Sequence, residues 1–175
     1  MDQRTSGQKG AYTLPPSCTT MLIKRPQSRA HKVPRFHMPW REQIQLLSAR
    51  ARRTPGSPLY STATWRFPVV HEYLNPGNSL HGAAQTLFYD NTMAYLFVPL
   101  AKPGFWDTYG FSRTLSVTYL AQVREGDWVR LEVETVQVGR RMALLKGRMW
   151  RESDGVVVST CEHDKFTTDA RAAKI

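Results

Sequence analysis

The chain has 175 residues, of which 41% are hydrophobic, and this size and composition predict one domain that can bury a core. No apolar run approaches the roughly 18 residues that a membrane span needs, and the polar start does not resemble a secretory signal. The two cysteines, Cys18 and Cys161, do not make a disulfide framework, which is typical of a reducing compartment. The composition therefore excludes a wholly disordered chain, a membrane-spanning protein and a disulfide-stapled secreted domain.

The net charge of +10 is distributed unevenly along the chain. Residues 1–56 contain 11 Lys and Arg against 2 acids, whereas residues 57–175 contain 13 against 12. Phosphate-driven binding of nucleic acid would therefore have to use the first third, because the nearly neutral remainder lacks a basic stripe with interleaved aromatic residues. We predict no nucleic-acid partner.

Residues 1–40 are rich in Pro, Ser, Thr, Gln and Arg and have no sustained apolar period, which predicts a basic, disordered N-terminal arm before a single domain over residues 41–170. Phe36 and Trp40 predict that the end of the arm packs onto the domain. An acid-poor, Arg-rich start is also typical of a mitochondrial presequence, but four prolines up to Pro34 and the lack of a clean amphipathic helix argue against one. We predict a cytoplasmic protein, with the mitochondrial matrix as the alternative.

The first elements of the domain follow from hydrophobic periodicity. Residues 44–49 are compatible with a short strand or helix, and the alternation over residues 59–69 predicts a strand. A turn-rich loop then leads into a helix from about residue 81 to residue 98, which Pro99 prevents from continuing.

The rest of the domain is strand-like. Glycine-containing turns at Gly126, Gly139 and Gly155 separate four predicted strands and indicate consecutive antiparallel hairpins, that is, a meander. These strands cover residues 109–120, 128–138, 141–151 and 156–166. The element order predicts an α+β domain in which one antiparallel sheet wraps around one long helix.

The loop and the start of the helix contain the most informative residues. Asn75 precedes His81 by six residues, and Asp90 follows it by nine, or two and a half turns of helix. A carboxylate in an otherwise apolar helix is costly to bury unless it has a function or a partner. Asp90 is therefore the first candidate for chemistry.

Residues 57–167 resemble the hotdog fold and, within it, the PaaI-like branch of the 4-hydroxybenzoyl-CoA thioesterase superfamily. The resemblance rests on Asn75 before His81-Gly82, on Asp90, on a strand from Ser112 to Thr118-Tyr119-Leu120, and on turns at Gly126-Asp127 and Gly139-Arg140. The chain departs from the family pattern in three ways: Ala83 replaces a second glycine, the arm has no counterpart, and the loop of residues 99–109 is longer. Phe105 and Trp106 make this loop aromatic, and we expect it to line or cover an acyl pocket.

The resemblance implies a hotdog fold assembled as a dimer or dimer of dimers, and an enzyme that hydrolyses an acyl thioester. Asp90 would be the general base on water or a direct nucleophile, and Ser112 would position the water. The amide of Gly82, at a helix N-terminus, would be an oxyanion donor. Asn75 would hold the carbonyl or anchor the loop, and His81 would bind the loop or lie near the leaving sulfur. Each site would join Asp90 of one subunit to Asn75 and Gly82 of another.

Each of these residues also has a structural interpretation. Asn75 before Pro76 is a common turn formula, and His81 could simply begin the helix. Ser112 could be an ordinary strand serine, and Asp90 with Asn91 could be a polar helix patch that meets its symmetry mate. The combination in order nevertheless favours a catalytic site.

Arg140, Arg141 and Lys102 are candidates for contacts to the phosphates of coenzyme A or to an acidic acyl carrier protein, although a solvated rim is equally compatible with them. His37, His71, His163 and Cys161 have no ligand-like spacing, so no metal is expected. No cofactor is expected beyond the CoA moiety of the substrate.

Three other functions remain open from sequence alone: a hotdog dehydratase or isomerase, a non-catalytic acyl-binding or interaction module, and a nucleic-acid binder that uses the arm. The sequence does not identify the acyl chain, although the aromatic loop indicates a bulky or aromatic group. Fatty-acyl and polyketide metabolism both remain possible pathways.

Overall fold

A computed structural model describes residues 12–13, 42–52 and 58–168. Within these ranges the helix that packs on the sheet is α1 (Gly82–Ala94), and short 3-10 helices lie at His71–Tyr73 and Tyr95–Phe97. The strands are β1 (Tyr12–Thr13), β2 (Gln45–Arg52), β3 (Tyr60–Pro68), β4 (Phe111–Tyr119), β5 (Trp128–Val138), β6 (Met142–Arg151) and β7 (Val157–Phe166).

The strands form one antiparallel sheet in the order β1-β2-β3-β5-β6-β7-β4, and α1 packs against one of its faces. The predicted α+β architecture, one sheet around one helix, is confirmed. The ambiguous residues 44–49 belong to β2. The helix is shorter than predicted because Pro99 has no N–H to bond back to Tyr95, so the last turn tightens to a 3-10 turn in which Val98 N–H bonds Tyr95 O at 3.1 Å.

The prediction of a four-strand meander is wrong at its first step. β5, β6 and β7 are consecutive hairpin partners, but β4 pairs with β7 at the far edge, and β5 pairs with β3. The reason is register: β5 aligns Val129, Leu131 and Val133 with a buried row of β3, so the two apolar faces match. The hydrophobic periodicity of one strand does not predict which distant strand will pair with it.

The core lies between α1 and the sheet. Phe88 packs on Phe67 with ring centroids 4.3 Å apart, and the Tyr89 hydroxyl donates to Ser159 O at 2.9 Å. Tyr89 is completely buried, and this burial raises the pKa of its hydroxyl far above the ordinary range. The helix is therefore fixed in rotation, which determines where Asp90 points.

We expect Gly147→Ala to destabilise the domain by about 1–3 kcal/mol, because it would overpack the helix–sheet contact. A Cβ atom on Gly147 would lie 2.7 Å from Met93 Cε and 2.8 Å from a ring carbon of Tyr89. Met93 can move, but the hydrogen bonds to Ser159 hold Tyr89. Urea denaturation measures the effect, and an unchanged midpoint would show that α1 does not rest on the backbone of β6.

The aromatic loop contributes to the core. Trp106 is fully buried, stacks on Phe97 at 4.3 Å and donates from Nε1 to Gly139 O at 2.9 Å. Gly110 takes a positive φ of 68°, and a Cβ there would lie 2.4 Å from Trp106. Trp106 thus closes the end of the core. The sequence had led us to expect that this loop lines or covers a pocket. Phe105 is partly buried beside Trp106.

Part of the predicted arm lies on the sheet, since Tyr12 and Thr13 pair with Ala51 and Arg50 of β2. Phe36, Trp40 and Cys18 lie outside the described residues. Within the described ranges, no helix combines the length and hydropathy needed to cross a membrane.

Candidate active site

Asp90 lies on the flank of α1 and faces the start of β4. Its side chain is 45% exposed, and its Oδ1 accepts a hydrogen bond of 2.9 Å from the Ser112 hydroxyl. No hydrogen bond or ion pair reaches Oδ2 in the described part of the chain. The structure therefore brings two of the predicted residues together and leaves one carboxylate oxygen open.

A β-bulge directs Ser112 toward the helix. The pairing of β4 with β7 shifts between Ser112 and Thr114, so Arg113 has no partner of its own. Arg113 points to the outer face, where its Nη1 lies 3.4 Å from Asp164 Oδ2. The extra residue changes the alternation of β4, and Ser112 then shares the helix face with Leu115.

His163 of β7 is the third member of the cluster, and sequence reasoning missed it. Its Nε2 lies 2.9 Å from Ser112 Oγ and 3.7 Å from Asp90 Oδ1, and the side chain is fully buried. Its spacing from other possible ligands in the sequence bears only on metal binding. The useful signal was the alternation of β7, in which Cys161, His163 and Lys165 are buried while Glu162 is exposed.

His163 is neutral at pH 7. Burial is the largest cause that lowers its pKa to about 4, and the ammonium of Lys165 acts in the same direction, against Asp90 and Asp164. Among the described residues its buried Nδ1 finds no hydrogen-bond partner, so a proton there would be an unsatisfied donor. The Asp90 contact is thus a contact with a neutral imidazole and not an ion pair.

The protons of the cluster follow from this geometry. Ser112 has one proton, which it donates to Asp90, so the 2.9 Å contact to His163 requires Nε2–H as the donor. Hydrogen bonds then run in one direction, from His163 through Ser112 to Asp90 Oδ1. Two donors in series hold the carboxylate in one orientation, with Oδ2 outward.

Lys165 lies opposite Ser112 in the β4–β7 register and is only 3% exposed. Burial lowers its pKa, and the negative charge of Asp90 opposes this effect. No hydrogen bond or ion pair of its ammonium group is present within the described ranges. Lys165 therefore contributes positive charge near Asp90 without contacting it.

The loop before α1 uses its predicted site residues for local structure. Asn75 Oδ1 accepts from the amides of Gly77 at 2.9 Å and Ser79 at 3.2 Å, and its Nδ2 donates to Ser79 Oγ at 3.0 Å. His81 is the N-cap, whose Nδ1 accepts from Ala83 N–H at 2.9 Å. Within one chain the structure favours the anchoring role of Asn75 and the helix-start role of His81.

Gly82 begins α1, and the described hydrogen bonds leave its amide without an acceptor. The Tyr119 ring covers its Cα: a Cβ on Gly82 would lie 3.0 Å from Tyr119 Cζ. Gly82 and Asp90 are eight residues apart on one helix, or about 12 Å along its axis. Within a single chain, the predicted oxyanion donor Gly82 and the predicted base Asp90, here called the two predicted half-sites, therefore do not meet.

Two of the three basic candidates, Arg140 and Arg141, lie near the end of the sheet where Asp90 contacts β4. Arg140 and Arg141 occupy the turn between β5 and β6, beside the row in which Met142 pairs with Phe166, and Phe166 with Phe111. All three are exposed, and Lys102 Nζ lies 5.9 Å from the centre of the Phe105 ring.

A groove with a volume of about 840 Å³ lies apart from Asp90, between the polar side chains of the sheet. Ion pairs cross it, with Lys146 Nζ 3.1 Å from Glu162 and Arg148 Nη2 3.7 Å from Glu132. Asp90 does not line this groove, so we do not assign it to the chemistry. Across the described ranges, no group of three or more His, Cys, Asp or Glu could hold a metal.

Comparison with known proteins agrees with this fold. Residues 77–158 match the model of the thioesterase superfamily, whereas no curated protein sequence matches the chain.

Among solved structures, zebrafish thioesterase superfamily member 2 has a TM-score of 0.62 at 18% identity, over 77% of this chain and 88% of that one. A hypothetical thioesterase with coenzyme A from Streptococcus pneumoniae has a TM-score of 0.57 at 19% identity, over 73% and 87%. The Escherichia coli PaaI protein from the phenylacetic acid degradation operon has a TM-score of 0.53 at 14% identity, over 70% and 78%. The predicted resemblance to hotdog thioesterases, PaaI included, is confirmed.

Proposed function

We propose that this chain, whose residues 77–158 match the thioesterase superfamily, hydrolyses an acyl thioester of coenzyme A or of an acyl carrier protein. The observation that carries the proposal is the cluster of Asp90, Ser112 and His163, in which Oδ1 is held and Oδ2 is open. The held oxygen fixes the orientation of the carboxylate, and the open oxygen can accept a proton from water.

In the proposed reaction, Asp90 Oδ2 takes a proton from water, and the water oxygen bonds to the acyl carbon. The carbonyl oxygen becomes an oxyanion, which the Gly82 amide and the positive end of α1 stabilise. The C–S bond then breaks, and the thiolate leaves and is protonated. Direct attack by Oδ2 is the alternative, with an anhydride that water then hydrolyses.

We further propose that the complete site forms between two copies of the chain. In the described sheet, β4 has a partner on one side only and exposes large apolar side chains, with Phe111 53% and Tyr119 51% exposed. If two β4 strands pair antiparallel about a two-fold axis at Ser116, the extra residue of the bulge at Arg113 places Ser112 of one copy opposite Tyr119 of the other. Because Ser112 contacts Asp90 and Tyr119 contacts Gly82, this pairing would join the two half-sites.

Ser116→Arg is expected to weaken this dimer and to lower activity in proportion to the monomer formed, because it places like charges near the two-fold axis. Sedimentation at several concentrations measures the mass, and turnover is followed on the same samples. The control is Val156→Arg, which also adds one positive charge, at a 39%-exposed position in the β6–β7 turn. It should change neither the mass nor the turnover. A fully active Ser116→Arg monomer would rule out a shared site.

The function is tested by a hydrolysis screen of short, long and aromatic acyl-CoAs and one acyl carrier protein, with Asp90→Asn as the blank.

Arg140, Arg141 and Lys102 are proposed phosphate contacts, so Arg140→Ala with Arg141→Ala should raise KM for acyl-CoA and leave kcat nearly unchanged. Ligand-induced thermal stabilisation without turnover would instead assign a non-catalytic acyl-binding module.

A further inference from the structure

Tyr119 is a residue that neither the predicted site nor the proposed reaction uses. Its hydroxyl lies 3.1 Å from Gly82 O, to which it donates, and 2.8 Å from Thr86 Oγ1. Thr86 Oγ1 also donates to Gly82 O at 3.0 Å. Two hydroxyl protons serve these three contacts, so Tyr119 holds the Gly82 carbonyl either directly or through Thr86 Oγ1.

The ring of Tyr119 adds a steric constraint to these hydrogen bonds. A Cβ on Gly82 would lie 3.0 Å from Cζ, and 3.2 Å from both Cε1 and the hydroxyl oxygen. This contact gives a physical reason for glycine at position 82, where φ is not positive and the backbone itself does not require glycine. Tyr119 and Gly82 therefore constrain each other.

We propose that Tyr119 is a positioning residue that sets the direction of the Gly82 amide and thereby the geometry of the oxyanion site. The expected effect on kcat rests on the proposed function, whereas the contact between Tyr119 and Gly82 does not depend on it. The Gly82 carbonyl and the Ala83 amide share one peptide plane, which Tyr119 holds at the carbonyl and His81 Nδ1 holds at the amide. The preceding peptide, which carries the Gly82 amide, is held at its carbonyl, because His81 O accepts from Gln85 N–H at 3.1 Å. With both planes held, fixing the Gly82 carbonyl limits rotation of the Gly82 amide. Oxyanion donors act only within a narrow range of distance, which makes such a restraint kinetically visible.

The position of Tyr119 in the fold connects this restraint to assembly. It is the last residue of β4, on the free edge that we propose as the dimer contact, and its ring reaches inward from that edge to the helix. In the proposed dimer, the same ring would lie beside Ser112 of the other copy. Tyr119 would then hold one half-site in place next to the other.

The test compares Tyr119→Phe with wild type. The variant keeps the ring and loses the hydroxyl, so we expect kcat on the best acyl-CoA to fall about tenfold while KM stays within about twofold, since the lost interaction acts in the transition state. Tyr60→Phe, which removes an outer-face hydroxyl bonded to Glu134, is the control and should match wild type. An unchanged kcat in Tyr119→Phe would overturn the proposal.

Amide hydrogen exchange distinguishes this inference from the proposed function. The amides of Gln85 and Thr86 are the first to bond back into the helix, to His81 and Gly82, and we expect both to exchange several-fold faster in Tyr119→Phe. If the wild type hydrolyses no thioester, the proposed function is wrong, and the exchange rates of these two amides alone test the positioning role of Tyr119. Unchanged protection in that case would refute the positioning role.

Discussion

Asp90→Asn is expected to lower kcat by roughly 10²–10⁴-fold on any acyl thioester that the wild type hydrolyses, the range that a positioned general base contributes. Asparagine has nearly the same shape, and its Oδ1 still accepts from the Ser112 hydroxyl. The atom that replaces Oδ2 carries two protons and cannot accept another. The variant therefore removes the chemistry while it retains the contact.

The matched control is Asp164→Asn, the same substitution next to His163 but on the outer face of β7. Asp164 pairs with Arg113 at 3.4 Å and does not contact the cluster, so turnover should remain within about twofold of wild type. Circular dichroism and the melting temperature should be unchanged in Asp90→Asn. Full turnover by a folded Asp90→Asn protein would remove Asp90 from the mechanism.

His163 is expected to make the domain less stable in acid. The pKa of this side chain is about 4 in the folded protein against an ordinary 6.5, so between these values the unfolded chain binds a proton that the folded chain does not. The neutral imidazole of His163 makes its full contribution to the free energy of unfolding above pH 6.5, and this contribution is lost as the pH falls toward 4. The full shift corresponds to about 3 kcal/mol.

Urea denaturation at pH 7 and at pH 4.5 measures this effect, and His163→Gln isolates it from the carboxylates that also titrate. Glutamine does not titrate, and its Nε2 can still donate to Ser112. We expect a smaller loss of stability between the two pH values in the variant, by about 2 kcal/mol. An equal loss in both proteins would mean that His163 is not buried in its neutral form.

Several features of the fold and site were readable from adjacent residues. The alternation over β5 and the glycines on either side of it predicted its bounds correctly, and Pro99 marked where the helical segment stops, although its last turn is a 3-10 turn. Asp90 was predicted as an acid in an apolar helix and Ser112 from the resemblance to the family, and the structure brings them within 2.9 Å. Such signals are local, since turn chemistry and side-chain periodicity depend on neighbours in the chain.

Other features depended on contacts between distant residues. The partner of β4, the bulge that turns Ser112 inward and the burial of Trp106 all follow from how the strands and loops pack.

His163 illustrates the division most clearly. In sequence it is a histidine on an alternating strand, 51 residues from Ser112. Its desolvation and its 2.9 Å contact with that serine follow from the pairing of β7 with β4. Local patterns in the chain predicted the elements and the carboxylate. Tertiary packing selected the groups that orient this carboxylate, because burial and hydrogen-bond partners are properties of assembled strands and not of neighbouring residues.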